Sequence, residues 1–312
     1  MAGKVGADAK RFLKRAPSYA PRVSRCAALL VLVAISIAGC GSTATKHAGP
    51  RRTSPSLVDL PTAPARPPQV APRTKPRHRV RRPGHFHPTA TLITHGPRKG
   101  HDVALTFDAD MTQAMLAAVR GGHRSIGYDP EIVRELRASH TPATIFMTGL
   151  WPTAHPGPAR DLSSDPLFEI ENHTYDHSAF SPPCYGLPNV PSEADKTKEV
   201  KSAAQVIAGL IGSEPRYFRF PGGCHSTADL HLVASLGEQP VQWDVISGDA
   251  YLRDPAAVAR QTLAGVRPGS IVVMHLVGAP NAPATAGALR TVLPALRQRG
   301  LRPVKLARLL RG

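Results

Sequence analysis

The chain contains 312 residues, with 39 Lys and Arg against 22 Asp and Glu, so its formal net charge is +17. Hydrophobic residues make up 42% of it, which excludes a wholly disordered chain, and four Cys are too few for a disulfide-rich miniprotein. The charge alone would suggest a nucleic acid or an anionic membrane as partner. However, residues 1–100 hold 19 basic and two acidic residues, whereas residues 101–312 sum to zero. Because no nucleic-acid-binding motif stands beside the basic segment, the sequence predicts no nucleic-acid partner.

The first predicted element is an uncharged apolar run, Cys26–Cys40. It is shorter than the roughly 20 apolar residues that span a bilayer, it follows a basic segment, and it ends in small residues, as secretory signals do. Its end, Ile37–Cys40, resembles a bacterial lipobox, which implies cleavage before Cys40 and lipid on the Cys40 thiol. An uncleaved signal anchor is the alternative. Both interpretations predict a signal segment over residues 1–40 and an exported protein tethered to the outer face of the cell membrane.

A basic, Pro-rich segment follows over residues 41–98, with eleven Pro and little aliphatic periodicity. Such a composition buries too little apolar surface to offset its ordering entropy, so it predicts a disordered linker. Its basic run Arg77–Arg82 suits an anionic wall polymer or lipid headgroups, and a merely solvated tail is the simpler alternative.

Residues 99–312 are predicted to form one domain in which short apolar strands alternate with amphipathic helices. The predicted strands are Val103–Phe107, Thr144–Met147, Leu167–Ile170, Tyr217–Phe220, Val241–Ile246 and Ile271–Met274. The predicted helices are Pro130–Ser139, Ser192–Ile211, Thr227–Leu236, Pro255–Val266 and Ala286–Arg299. This alternation predicts an α/β fold with mostly parallel strands, whose chemistry gathers at the C-terminal ends of the strands.

Polar segments follow five of these strands, where a parallel α/β enzyme carries its site. They are Asp108–Asp110, Glu171–His177, Pro221–Cys224, Ser247–Asp249 and His275. The four-residue spacing of His173 and His177 would, on a helical turn, bring both imidazoles to one face and to one metal ion. A carboxylate from another strand end would complete a His-His-Asp site that leaves a position open for water or substrate.

Taken in order, the segments TFDAD, NHTYDH, FRFPGG, WDVISGD and IVVMH resemble the five motifs of the NodB-homology polysaccharide deacetylases, carbohydrate esterase family 4. The resemblance covers about residues 100–310. It implies a distorted (β/α) barrel with mostly parallel strands, fewer than in the eightfold form. It also implies metal-dependent removal of acetyl groups from N-acetylated sugars. Together with the predicted export, it implies a substrate such as peptidoglycan or a similar cell-envelope polysaccharide.

The resemblance also implies roles for individual residues. These are a general base at Asp108, metal ligands at His173 and His177, an arginine that tethers the base at Arg219, an oxyanion-binding backbone N–H at Gly222, an aspartate that orients the acid at Asp249, and the acid itself at His275. The nitrogen and oxygen ligand set predicts zinc as the divalent metal. A structural Arg219–Asp249 ion pair and a core position for His275 are the simpler alternatives.

Three positions depart from the family pattern. Ala109 stands where the metal-binding Asp is usual, so either Asp110 is the third ligand, or Asp108 binds the metal and Asp110 or another group is the base. Residues two apart on an extended strand face the same side, so both carboxylates are expected to point into the site. Gly222 replaces a Tyr and Ala250 a Trp, which predicts a wider pocket. The aromatic residues that remain as candidates to compensate are Trp151, Tyr185 and Trp243, the last more simply a core residue.

Cys184 and Cys224 each follow an active-site motif, and in an exported protein such a pair predicts a disulfide. Two functions compete with that of an active deacetylase. One is a non-catalytic glycan-binding module with a diverged site, and the other is a cationic envelope-adhesion protein whose basic segment does the binding. Retention of six residues of these motifs favours the enzyme: Asp108, His173, His177, Arg219, Asp249 and His275.

Overall fold

The structure is a computed structural model, and it describes residues 86–311. The predicted signal segment, the predicted lipid on Cys40 and the predicted linker up to residue 85 lie outside the described residues and stay predictions. Within the described part of the chain, no helix combines the length and the apolar character that crossing a membrane requires.

The start of the described chain lies against the domain rather than apart from it. Ile93 forms a β-bridge with Val241, and the Arg98 guanidinium forms a 2.7 Å ion pair with Asp244. Residues 86–98, assigned to the linker from their composition, therefore contribute contacts to the domain upstream of the predicted boundary at residue 99. The composition hides this because Pro-rich segments without periodicity can still pair locally with a sheet edge.

The described chain alternates strands and helices. The strands are β1 (Asp102–Ala109), β2 (Ala143–Met147), β3 (Phe168–Asn172), β4 (Tyr217–Phe218), β5 (Gln239–Pro240), β6 (Val245–Ile246), β7 (Ile271–His275) and β8 (Arg302–Pro303). The helices are α1 (Gln113–Arg120), α2 (Pro130–Ala138), α3 (Trp151–Ala154), α4 (Pro156–Ser164), α5 (Glu193–Ile211), α6 (Thr227–Ser235), α7 (Pro255–Gly265), α8 (Thr285–Gln298) and α9 (Leu306–Arg311). Asp129 and Asp254 cap α2 and α7, each followed by a first-turn proline as predicted.

These strands form one curled parallel sheet, in the order β5-β4-β3-β2-β1-β7-β6, with β8 beside the start of β1. The fold is the predicted distorted (β/α) barrel. Of the predicted strand Val241–Ile246, only Val245–Ile246 form a strand, β6, because β5 ends at Pro240 and the chain then crosses from that edge of the sheet to the other. A continuous apolar run cannot distinguish a strand from such a crossing.

Alternation along β1 positions the site. Leu105 and Phe107 belong to a buried core shared with the helices, and burial of such side chains stabilises the fold by about 1.5–3 kcal/mol each. The residues between them face the other side of the strand, where Ala104 packs in the barrel core. Asp108 shares this parity, and its neighbours across the sheet are Phe146 on β2 and His275 on β7. Sheet register thus sets Asp108 beside His275.

Candidate active site

Three of the predicted ligands lie together at the C-terminal ends of β1 and β3, and we call Asp110, His173 and His177 the ligand cluster. The Asp110 Oδ1 atom is 3.5 Å from His173 Nε2 and 3.4 Å from His177 Nε2. One ligand atom from each residue lies within 4.8 Å of the others, and all three residues are buried. Of the two alternatives for Ala109, the structure brings Asp110, rather than Asp108, between both histidines.

The ligand cluster contains buried polar atoms that the protein does not satisfy. Asp110 Oδ1 and His173 Nε2 have no hydrogen-bond partner within the described residues. An unsatisfied buried polar atom costs on the order of 1–3 kcal/mol, and a bound ion would remove this cost. Two imidazole nitrogens and a carboxylate oxygen are the donor set of catalytic divalent-metal sites. The residues present therefore fit a divalent metal ion.

A backbone contact orients His173. Its Nδ1 atom lies 2.9 Å from the carbonyl oxygen of Arg219, and since a carbonyl only accepts, Nδ1 carries the proton. In the neutral imidazole, Nε2 is then the atom with the lone pair, and it is directed into the ligand cluster. Histidine ligands typically have their second ring nitrogen fixed in this way.

The segment that joins the two histidines is not the predicted helical turn. Thr174 and His177 have positive φ angles of 68° and 65°, conformations that are uncommon outside glycine. The His177 N–H donates to Thr174 Oγ1 at 3.1 Å, and the Thr174 N–H donates to Asn172 Oδ1 at 3.0 Å. Local side-chain bonds thus bring both imidazoles together within a loop, with ring centroids 5.0 Å apart.

Glu199 of α5 is hydrogen-bonded to the middle of the loop that joins His173 and His177. Its Oε2 atom accepts hydrogen bonds from the backbone N–H groups of Tyr175 at 2.8 Å and Asp176 at 3.1 Å. Sequence reasoning missed Glu199, because an acidic residue on an amphipathic helix resembles any solvent-facing residue.

Asp108 lies next to the ligand cluster and is held by Arg219. The Arg219 Nη1 atom donates to Asp108 Oδ1 at 2.6 Å, and both side chains are buried. The guanidinium also lies 3.9 Å from the ring centroid of Phe146, a cation–π contact. The second carboxylate oxygen of Asp108, Oδ2, lies 3.7 Å from His173 Nε2. The Arg219–Asp249 ion pair raised as an alternative does not form, because Arg219 pairs with Asp108.

The second cluster, which we call the acid cluster, consists of His275, Asp249, Thr285 and Ser247. The His275 Nδ1–H donates to Asp249 Oδ1 at 2.8 Å, and the His275 backbone N–H donates to Asp249 Oδ2 at 2.7 Å. The hydroxyls of Thr285 and Ser247 donate to Oδ2 and Oδ1 at 2.7 and 2.9 Å. Both Asp249 oxygens thus have two donors. No sequence signal identified Thr285, which lies 36 residues further along the chain at the start of α8.

Burial and charge set the ionisation of both clusters. Burial raises the pKa of Asp110, but nearby His177 and His173 outweigh it, so that pKa lies well below its usual range. Burial lowers the pKa of His177 by more than Asp110 raises it, which favours the neutral imidazole that binds metals. Burial also lowers the pKa of His275, but the Asp249 charge and hydrogen bond outweigh this and raise it to about 10. His275 therefore carries a proton at neutral pH.

The predicted Cys184–Cys224 disulfide is present, with an S–S distance of 2.08 Å. Gly222 lies in the short turn Pro221–Gly223 that directly follows Arg219 and Phe220. Of the three candidate aromatics, Trp151 is wholly buried and its Nε1 donates to the Gly127 carbonyl, so it belongs to the core.

The remaining aromatics differ in exposure. Trp243 is half-buried, packs against the barrel core and lies 5.4 Å from the Arg219 guanidinium, as the simpler interpretation predicts. Tyr185 is exposed and lies against Gly222.

The fold and the site define an α/β-barrel hydrolase with an Asp-His-His metal-binding geometry. The family model for polysaccharide deacetylases matches residues 95–241. A chitooligosaccharide deacetylase of Azorhizobium caulinodans is 31% identical over 193 residues, which cover 58% of this chain and 86% of that protein. The chain belongs to the polysaccharide deacetylase family, and these relatives support a hydrolase that acts on the amide C–N bond of N-acetylated sugars.

Two further relatives are more distant. A peptidoglycan N-acetylglucosamine deacetylase of Bacillus cereus is 24% identical over 68% of this chain and 69% of its own length. A solved structure of a family 4 pseudoenzyme from Bacillus anthracis has a TM-score of 0.58 at 20% identity, covering 71% of this chain and 69% of that one. The structural likeness shows the shared fold alone.

Proposed function

We propose that this protein is an exported, metal-dependent deacetylase that releases acetate from N-acetylated amino sugars of a cell-envelope polysaccharide. One observation carries the proposal. Buried, unsatisfied atoms of Asp110 and His173 lie beside an arginine-held carboxylate, Asp108, and an aspartate-held, protonated imidazole, His275. These groups make a base, an acid and a metal-ligand set within one strand-end site.

The ligand cluster would hold the metal through Asp110 Oδ1, His173 Nε2 and His177 Nε2. The nitrogen and oxygen donors favour zinc among the common divalent ions. When bound, such a metal acts as a Lewis acid that polarises the acetamide carbonyl.

Asp108 supplies the base. Its Oδ1 atom is occupied by Arg219, so Oδ2 is the atom that accepts a proton from the attacking water. The buried Arg219 guanidinium fixes the Asp108 carboxylate in place. The Gly222 N–H, in the turn after Arg219, is proposed as the donor to the oxygen on which negative charge develops.

His275 supplies the acid. Its Nδ1 atom is bound to Asp249, so the proton that reaches the substrate leaves from Nε2. That proton passes to the amide nitrogen as the C–N bond breaks, giving a free amine, while the water oxygen stays with the acyl carbon as acetate. The pKa of about 10 keeps the proton on His275 until the developing amine takes it.

The substrate class comes from the relatives. The names of the two curated relatives describe enzymes of chitooligosaccharides and of peptidoglycan N-acetylglucosamine. An N-acetylated amino sugar within a glycan chain is common to both. The predicted export and tether favour a glycan of the cell envelope, with peptidoglycan as the first to test.

Acetate release by the full chain is the direct test. The purified protein is incubated with N-acetylglucosamine oligomers and with peptidoglycan, before and after chelation and after zinc is restored. We expect release that stops with chelator and returns with zinc. Retained glycan binding without release from any glycan under any metal would instead favour the glycan-binding module. Release that chelation leaves unchanged would contradict the metal assignment.

The predicted location has its own test. Mass spectrometry of the protein from membranes of an expressing bacterium is expected to show lipid at Cys40 and no residues before it. A Cys40→Ser variant is expected to carry no lipid and therefore to be lost from the membrane fraction. An intact N-terminus in the membrane fraction would support the signal-anchor alternative.

A further inference from the structure

A loop beside the site is fixed to it at two points. We call residues 181–190 the rim loop; it begins four residues after His177. The Cys184–Cys224 disulfide fastens its middle to the segment that follows Gly222. Its end pairs with residue Ala179, whose backbone exchanges hydrogen bonds of 2.7 and 2.9 Å with Pro188 and Val190. The loop is therefore held between a predicted metal ligand and the turn proposed to bind the oxyanion.

Gly222 makes room for this loop. Its φ angle is +59°, and a Cβ atom added there would lie 2.6 Å from Cys184 Sγ and 3.1 Å from Tyr185 Cδ2. Such contacts exclude a side chain, so the Tyr that the family usually carries at this position cannot stand here. The space that it would enter is occupied by the disulfide and by the edge of the Tyr185 ring.

Tyr185 is presented to solvent in a constrained conformation. Its φ angle is +47°, which is uncommon for a residue other than glycine, and strained residues of this kind concentrate at functional sites. The side chain is 80% exposed, whereas the preceding residue, Cys184, is buried. Its hydroxyl has no hydrogen-bond partner within residues 86–311. The fold thus holds the backbone firmly and leaves the ring face free.

Other exposed aromatic side chains in the described chain have partners. Phe86 packs edge-to-face on Tyr217, and the Tyr251 hydroxyl accepts a 2.8 Å hydrogen bond from Gln261 of α7. An exposed Tyr ring that no other side chain covers offers an apolar face and a hydroxyl to a ligand, the combination that enriches Tyr at binding interfaces. Tyr185 has this property.

We propose that Tyr185 is a specificity-determining residue that stacks against a pyranose ring of the glycan. The proposal rests on the proposed function. The apolar C–H face of a sugar ring suits the face of a phenol ring, and the phenol hydroxyl can bond to a sugar hydroxyl. The rim loop thus supplies, from a different position in the chain, the aromatic surface that Gly222 lacks. Because the loop is fixed in advance, little entropy is lost when the sugar binds.

The test compares substrates with and without a sugar. Tyr185→Ala, Tyr185→Phe and the control Tyr251→Ala are assayed for acetate release from N-acetylglucosamine oligomers and from 4-nitrophenyl acetate. We expect Tyr185→Ala to lower kcat/KM on the oligomers about three- to tenfold, mainly through KM, and to leave the small ester unaffected. Tyr185→Phe should retain most of the oligomer activity, and Tyr251→Ala all of it.

Several outcomes would overturn the proposal. Equal losses on both substrates would mean that Tyr185 acts through the geometry of the site, and unchanged KM on the oligomers would mean that it does not contact the glycan. If the wild-type chain releases no acetate at all, the proposed function fails, and calorimetric titration with an N-acetylglucosamine oligomer decides separately. Weaker binding by Tyr185→Ala would then uphold the contact, and equal binding would reject it.

Discussion

The ligand cluster and the acid cluster flank Asp108, and they differ in how the protein satisfies their buried atoms. In the acid cluster, each oxygen of Asp249 accepts two hydrogen bonds from within the chain. In the ligand cluster, Asp110 Oδ1 and His173 Nε2 accept none from the described residues. The hydrogen bonds of Asp249 in the acid cluster are therefore all supplied by the chain. In the ligand cluster, the unpaired buried atoms lower the stability of the fold, and a bound cation would remove this penalty.

The largest expected effect comes from breaking the ligand cluster. His177→Ala removes one of the three proposed ligands, so we expect zinc content to fall below stoichiometry and kcat/KM to fall by about 10³-fold or more, since charge stabilisation by a metal is worth several kcal/mol. Metal analysis by mass spectrometry and acetate release check both effects.

The matched control for that variant is His231→Ala, an exposed histidine on α6. It should retain full metal content and activity. If His177→Ala kept one zinc per chain, the assignment of the ligand cluster would be wrong.

A smaller effect, of a different kind, is expected from the acid cluster. The pKa of His275 is raised to about 10 because the Asp249 charge and hydrogen bond outweigh burial. Asp249→Asn removes that charge, so the pKa of His275 should fall toward or below its ordinary value of about 6.5. We expect kcat/KM to fall about 10²- to 10⁴-fold at neutral pH, the range for loss of a general acid.

The pH profile distinguishes this effect from loss of the fold. A raised pKa means that the protonated acid is present below about pH 10 and is lost above it, so the alkaline limb of the wild-type profile should follow this titration. In Asp249→Asn the alkaline limb should move to lower pH while zinc content stays at one per chain. An unshifted limb would contradict the assignment of His275 as the acid.

The two clusters also differ in how far the sequence could predict them. The strand-end positions of Asp110, His173 and His275 followed from apolar runs and the polar residues after them. The loop conformation did not, because the positive φ angles at Thr174 and His177 come from side-chain bonds to the backbone that residue spacing does not encode.

Contacts between distant segments were equally invisible in the sequence. Thr285 reaches Asp249 across 36 residues, and Glu199 reaches the His173–His177 loop from a helix. The fold class was predictable because alternation of strands and helices is a local signal. The division of the run Val241–Ile246 between two sheet edges was not, because strand pairing is a long-range property.

A moderate effect is expected at Thr285, which completes the acid cluster. Thr285→Val removes the 2.7 Å hydrogen bond to Asp249 Oδ2 and leaves a side chain of similar shape. A hydrogen bond to a charged group is worth about 1.5–3 kcal/mol, so we expect the unfolding free energy to fall by that amount. The kcat should fall about tenfold, with the alkaline limb shifted in the same direction as in Asp249→Asn.

Thr285→Ser keeps the hydroxyl and is the matched control for this position. It should restore most of the activity and the wild-type pH profile. If both variants lost activity equally, packing of α8 rather than the hydrogen bond would explain the effect.

The smallest effect on chemistry is expected at the disulfide, which belongs to neither cluster. Cys184→Ser with Cys224→Ser opens a link between residues 40 apart in sequence, which should lower the unfolding free energy by about 2–4 kcal/mol. Neither cluster contacts the sulfurs, so zinc content and release from 4-nitrophenyl acetate should remain near wild type. The rim loop loses its anchor, so KM for the oligomers should rise as it does in Tyr185→Ala.

A double variant with unchanged KM would show that the contacts at Ala179 alone hold Tyr185 in place, whereas loss of zinc would show that the rim loop also supports the ligand cluster.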